Sequence, residues 1–203
     1  LVQGPGILSA LSAAYGLTGA GFLVPFVIIV LCFCAICTCT SAPSISLEGP
    51  YLWILRANPV RERDLFFAKV MANVLIGGVP LAVASALFVI ALPMSAADAA
   101  LVVVLPLLAQ IVMAYLGLCL NLLMPRLDWV SQAAVVKQSG SVMAAVFGGM
   151  GMIAFPALLY AFLLNSVMSF QVFGLLVGIV LALGCLLMHL YLGRGGVRRF
   201  RAL

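Results

Sequence analysis

Few side chains in this sequence can do chemistry, and their spacing narrows what they do. Cys32, Cys34, Cys37 and Cys39 cluster at the end of the first apolar run. A metal or redox site is the sharp reading of four close thiols. On a helix, however, Cys32 and Cys34 stand about 200° apart at 100° per residue, so one ion cannot collect all four. Packed or lipid-facing thiols are therefore the expectation, as for Cys119 and Cys185, which sit inside apolar runs and act as small hydrophobes. The only histidine, His189, lies one turn from the end of an apolar run. A proton relay needs several ionisable groups at membrane depth, and none accompanies it, so a packing role is expected. Asn73, Ser85, Gln110 and Asn121 interrupt apolar runs, where they can join helices or line a path; joining helices is the commoner use. No GxxxxGK[ST], HExxH or GxSxG occurs. The chain therefore has no P-loop of its own, and an intramembrane enzyme is poorly supported.

The remaining polar chemistry lies in two stretches. The first, about residues 41–66, contains Glu48, Gly49, Tyr51, Trp53 and Pro59, followed by the mixed patch Arg61, Glu62, Arg63 and Asp64. Tyr51 and Trp53 have the apolar body and polar tip suited to a membrane surface, and Asn58-Pro59 favours a turn or helix start. The expected shape is a short amphipathic helix along the inner surface, a turn, and entry into the next span. Its use as an adhesive surface for a partner and its use as a plain interfacial anchor both fit. The second stretch holds Asp128, Trp129 and Lys137. Asp128 is read as a helix cap, Trp129 as an interface residue, and Lys137 as a candidate partner for a carboxylate of the first stretch.

The elements that must position these residues follow from composition. Hydrophobic residues make up 66% of the chain and charged residues 7%, against roughly 25% charged in a soluble domain. The apolar runs reach the roughly 20 residues that cross a bilayer as helix, and they lack the alternation of barrel strands. The expected fold is all-α, a single polytopic transmembrane domain over 1–203, with about five spans at about 17–39, 67–92, 99–124, 140–164 and 170–192. Residues 1–16 are read as a short re-entrant or surface segment. The start at Leu1 rather than Met is read as a processed product or a piece of a longer protein.

All ten basic residues fall on one side of this arrangement: Arg56, Arg61, Arg63 and Lys69, then Arg126 and Lys137, then Arg194, Arg198, Arg199 and Arg201. The opposite connections carry only Asp98. Lys and Arg mark the cytoplasmic side, so the N-terminus is expected outside and the C-terminus in the cytoplasm. The formal net charge of +5 is accounted for in the same way, and no nucleic-acid partner is expected.

Ser46-Leu-Glu-Gly49, Trp53-Ile-Leu and Pro59 ahead of a long apolar span resemble the first cytoplasmic connection of ABC-2 type exporter permeases. Leu127-Asp-Trp129 and Val135-Val-Lys-Gln-Ser139 resemble a later segment of a bacterial subgroup of that family. The resemblance covers about residues 44–160. It implies a bacterial plasma (inner) membrane protein that forms the substrate path of an ATP-driven exporter. The family half has six helices with its N-terminus inside, so the five spans correspond to the second to sixth. The first is lacking, as in a fragment or the C-terminal part of a longer permease. By the same resemblance Glu48, Gly49, Trp53, Pro59, Arg61, Glu62, Arg63 and Asp64 couple to a separate cytoplasmic ABC ATPase, with Asp128, Trp129 and Lys137 in the second cytoplasmic loop. ATP and Mg belong to that partner, and no cofactor is expected in this chain. A second permease half, as a homodimer or the other half of a longer chain, and membrane lipid complete the implied partners. The alternative is a non-transport scaffold or assembly factor whose inner loops bind a cytoplasmic partner.

The orientation has a direct test. A Ser95→Cys variant is expected to react with a membrane-impermeant thiol reagent added from outside, and Ser131→Cys is not; the opposite pattern inverts the topology.

Overall fold

Long apolar runs leave backbone groups no partners but one another, which favours helix. The computed structural model describes residues 22–57, 60–129 and 131–202, and its regular elements there are all helical. Helix α1 is Leu23–Cys37. A 3-10 turn, Ser46–Tyr51, leads into α2, Leu52–Ala57. Helices α3 and α4 are Glu62–Ala91 and Ala96–Leu123. The short α5, Gln132–Gln138, precedes α6, Gly140–Leu159, which runs into a π turn at Tyr160–Leu164. Helix α7, Phe170–Tyr191, continues through a second π turn, Leu192–Gly196, into α8, Val197–Ala202. Four of these rods, 62–91, 96–123, 140–164 and 170–202, are long and apolar enough to cross a membrane; α1, with 15 residues, is a shorter apolar helix.

Helix α4 is the axis of the bundle, and α1, α3, α6 and α7 all pack along it. Its Val102, Met113, Ala114, Leu118 and Leu122 are buried. The outward rows are apolar as well, with Ile90 of α3 and Phe162 after α6 each at least 80% exposed. An exterior of that kind suits hydrocarbon and not water. At one end of the bundle lie Arg63, Arg126, Arg194 and Arg201, here termed the basic end. At the other, Ser95 caps α4 by accepting from the Asp98 N–H at 3.2 Å, and Gln171 of α7 donates to Asp98 Oδ1 at 3.2 Å.

Three boundaries differ from expectation. Helix α3 starts at Glu62 rather than Phe67, because Glu62 and Asp64 complement the positive dipole of its first turn. The tail after Leu192 is helical rather than trailing. Phe200 packs edge-to-face on Phe66 with centroids 5.6 Å apart, and the π turn takes up Gly193, Gly195 and Gly196. The expected first span, 17–39, leaves helix at Thr38; residues 1–21, including the proposed re-entrant segment, lie outside the described residues. Helix runs unbroken through Gly77-Gly78 and Pro80 in α3 and through Gly148–Gly151 and Pro156 in α6.

A break in regular structure at Thr38–Ile45 is partly buried: Ser41, Ala42, Ile45 and Ser46 are at most 1% exposed. Non-helical backbone inside a membrane bundle must find its partners in protein. Asn121 of α4 supplies one set. Its Oδ1 accepts from the N–H groups of Ile45 and Ser46 at 2.7 and 3.1 Å, and its Nδ2 donates to Ser46 Oγ and Ser141 Oγ at 2.7 and 3.0 Å. That is the full capacity of a carboxamide. Asn73 of α3 supplies the other set. Its Oδ1 accepts from the N–H groups of Thr40 and Ser41 at 3.1 and 3.0 Å, and its Nδ2 donates to the Thr38 carbonyl at 3.1 Å. The reverse orientation would set oxygen against that carbonyl, so the network decides the rotamer. The Gln110 amide meets Thr38 Oγ1 at 3.0 Å.

Glycines make room for the broken segment. A Cβ on Gly117 would come within 2.6 Å of Cys39 Sγ and 2.9 Å of the Ala42 nitrogen, and one on Gly77 would meet Thr38 Oγ1 at 2.6 Å.

Asn121→Leu would strip two buried N–H groups of their acceptor, each costing about 1–3 kcal/mol. Denaturant unfolding in detergent is expected to show a loss of about 2–4 kcal/mol. Ser85→Ala is expected to stay within about 0.5 kcal/mol of wild type, because the buried Ser85 hydroxyl has no hydrogen-bond partner among the described residues.

Candidate functional site

The two polar stretches meet at the basic end and form one folded unit. Ser46 is the joint. Its carbonyl accepts from Trp129 Nε1 at 2.8 Å, and its Oγ accepts from the Arg126 N–H at 3.0 Å. Gly49 lies flat on the backbone of Leu127, where a Cβ would fall onto the Leu127 carbonyl oxygen and within 2.9 Å of its Cα. The close approach accounts for a glycine at 49 through space alone. Lys69 of α3 ties the same turn down, pairing with Glu48 Oε1 at 2.6 Å and donating to the Ser44 carbonyl at 3.2 Å. The other Glu48 oxygen is buried with no partner among the described residues. Leu52 then plugs α2 into a core of Phe66, Val70, Leu118 and Leu122.

The opposite face of this elbow is bare. Tyr51 and Trp53 are 58% and 68% exposed, and Ile54 is exposed beside them. Ser46–Ala57 is thus a short helical elbow fixed to α3, α4 and the 124–129 loop on one side and presenting aromatic surface on the other.

The candidate residues divide accordingly. Glu48, Gly49 and Trp53 belong to the elbow. Arg61 and Asp64 are exposed at the start of α3. Glu62 and Arg63 are engaged within the chain. Glu62 Oε1 accepts from Arg201 Nε at 2.7 Å, and Arg63 Nε donates to the Gly193 carbonyl at 2.9 Å. Asp128 is exposed and does not cap α5; Ser131 occupies that N-cap position. Lys69 meets Glu48, a carboxylate of the first stretch; Lys137 lies on α5, and its side chain is outside the described ones. Pro59 lies outside the described residues.

Among the thiols, Cys32 is buried, Cys34 and Cys37 are exposed, and Cys39 Sγ donates to the Met113 carbonyl at 3.3 Å. Among the described residues no three metal-ligating side chains converge. His189 Nδ1 lies 3.1 Å from the Tyr115 hydroxyl.

Toward the other end of the bundle, α1, α4, α6 and α7 surround a cavity of about 580 Å³. Its wall includes Phe22, Cys32, Leu105, Met152 and Phe173, with Tyr160 and Asn165 among its few polar contributors. Such a space holds an apolar molecule by contact and orients it by few hydrogen bonds.

Sequence reasoning treated Asn73, Gln110 and Asn121 as glue between helices. It missed that their main client is backbone, and that Lys69 and Ser46 complete the elbow. The available signal was side-chain amides inside the two apolar runs that follow the first polar stretch. No family model, curated protein or solved structure matches this chain.

Gly49→Ala must push the elbow off Leu127, and overpacking of this kind costs about 1–3 kcal/mol. The expected result is faster proteolysis within 124–131 together with a lower melting temperature. Unchanged protease resistance would show that the two connections are not coupled.

Proposed function

We propose that this chain is the permease subunit of an ATP-driven exporter of the ABC-2 type in a bacterial plasma membrane, with its basic end in the cytoplasm. One observation carries the reading: the elbow Ser46–Ala57 is braced to the spans by Asn121, Trp129 and the Lys69–Glu48 pair, yet exposes Tyr51, Trp53 and Ile54. A lever needs both properties. A partner that grips the aromatic face moves α3 and α4 with it, because the joints are buried hydrogen bonds and a partly buried ion pair. The resemblance at Ser46–Gly49, Trp53 and Leu127–Trp129 supports the same assignment.

In this reading a separate ABC ATPase binds ATP and Mg, and its closure pulls on the elbow and on the exposed Arg61 and Asp64. A second permease half, identical or the other part of a longer chain, closes the substrate path. The charge pattern supports the orientation, since Lys and Arg concentrate on the cytoplasmic side. The apolar cavity supports a substrate with substantial apolar surface.

The test is copurification from native membranes, with ATP turnover as the readout. Wild-type chain is expected to bring down an ATP-hydrolysing subunit. Trp53→Ala is expected to reduce its recovery about tenfold, as loss of an aromatic anchor does, while the melting temperature stays within a few degrees. If wild type carries a cytoplasmic partner without ATPase activity, the permease reading fails and the scaffold reading replaces it.

A further inference from the structure

The permease reading leaves unused a second cleft, at the basic end. Helices α3 and α7 both pack along α4, and at this end they leave between them a space of about 270 Å³. Arg63 and Phe67 line it from α3, Tyr115 from α4, and His189, Leu190 and Arg194 from the α7 rod.

Its chemistry is one-sided, since Arg63 and Arg194 line it and, among the described residues, no Asp or Glu does. Glu62, the carboxylate beside Arg63 in sequence, is held by Arg201 at 2.7 Å, and Asp64 is exposed at the start of α3. Arg63 is anchored by its Nε, which donates to the Gly193 carbonyl at 2.9 Å. That bond fixes the guanidinium at the lip of the cleft and leaves its two terminal NH₂ groups for another acceptor. Tyr115 and His189 form a hydrogen-bonded, edge-to-face pair with ring centroids 5.8 Å apart. When the phenol donates to Nδ1, the imidazole retains Nε2–H as a further donor.

We propose that this cleft binds the phosphate group of an anionic membrane lipid, with Arg63 and Arg194 as its charged partners and the acyl chains against the apolar sides of α3 and α7. Arginine pairs with phosphate through charge-assisted hydrogen bonds, and basic pockets between helices at a membrane surface suit anionic headgroups. The walls favour a lipid over free phosphate. Phe67 and Leu190 are 54% and 51% exposed beside the charged groups, and an acyl chain would cover surface that a bare ion leaves open. The proposal does not depend on the transport reading.

The test uses the full chain in neutral detergent, with thermal unfolding read against added phosphatidylglycerol, phosphatidylcholine or inorganic phosphate. Phosphatidylglycerol is expected to raise the midpoint saturably, and phosphatidylcholine at the same concentration is not. The double variant R63Q/R194Q is expected to raise the half-maximal phosphatidylglycerol concentration about tenfold or more, as loss of charge-assisted bonds does. R198Q/R199Q removes equal charge from exposed positions on α8 and is expected to leave it unchanged. Equal weakening in both pairs would mean diffuse attraction and would overturn the site. Displacement of phosphatidylglycerol by inorganic phosphate at comparable concentration would overturn the lipid as its source. If R63Q/R194Q does not fold, Arg194→Gln alone keeps the Arg63–Gly193 bond; phosphatidylglycerol binding undiminished in that variant would also overturn the proposal.

Discussion

Everything at the basic end depends on one constraint, that backbone which leaves helix inside an apolar bundle must still bond every N–H and C=O. The chain leaves helix at Thr38, and Ser41, Ala42, Ile45 and Ser46 of the segment that follows are buried. Two asparagines on neighbouring helices meet the demand. Asn73 serves the Thr38–Ser41 part and Asn121 the Ile45–Ser46 part. Each amide offers two donors and two acceptor sites on separate atoms, whereas an apolar residue offers none and a hydroxyl has a single donor on the atom that also accepts. Because an unmet group costs more than a met one contributes, these bonds specify one path for the segment more than they add to total stability.

Close packing follows from that path. Bonds of about 3 Å between a side-chain amide and backbone require the helix carrying the amide to come near, so Gly77 and Gly117 stand where α3 and α4 meet the broken segment. Glycine here serves proximity, and the helices stay regular through it. The same logic repeats at Gly49, where two connecting segments touch backbone to backbone. The result is a stiff joint made from residues that look unremarkable in isolation: a serine, a glycine, an asparagine and a tryptophan nitrogen.

The charges at this end have two separate structural uses. Lys69 and Glu48 brace the elbow against α3. Arg63, Glu62 and Arg201 tie the start of α3 to the end of the last rod, helped by Phe66 and Phe200. These exposed pairs are weak individually; the aromatic contact beneath them is what keeps the terminal helix docked. Basic residues at this end therefore join the first polar stretch to the C-terminal one.

Length and composition alone determined the class: helices, apolar on most faces, with basic residues confined to alternate connections. Those properties are local sums over tens of residues, so they survive without any knowledge of packing. The same sums placed the ends of α4 and α6 nearly where they are. They ended the first apolar run at residue 39, within two residues of the observed end at Cys37. They could not show what holds the segment after it, because those bonds come from Asn73 and Asn121, which are distant in sequence. Nor could they show that the tail is helical, since its glycines and arginines argue for a trailing end until Phe200 finds Phe66. Tertiary structure decided which polar residues are joints and which are surface, because that depends on what stands opposite each of them across the bundle. Only the folded chain puts Ser46 beneath Trp129 and leaves Trp53 bare.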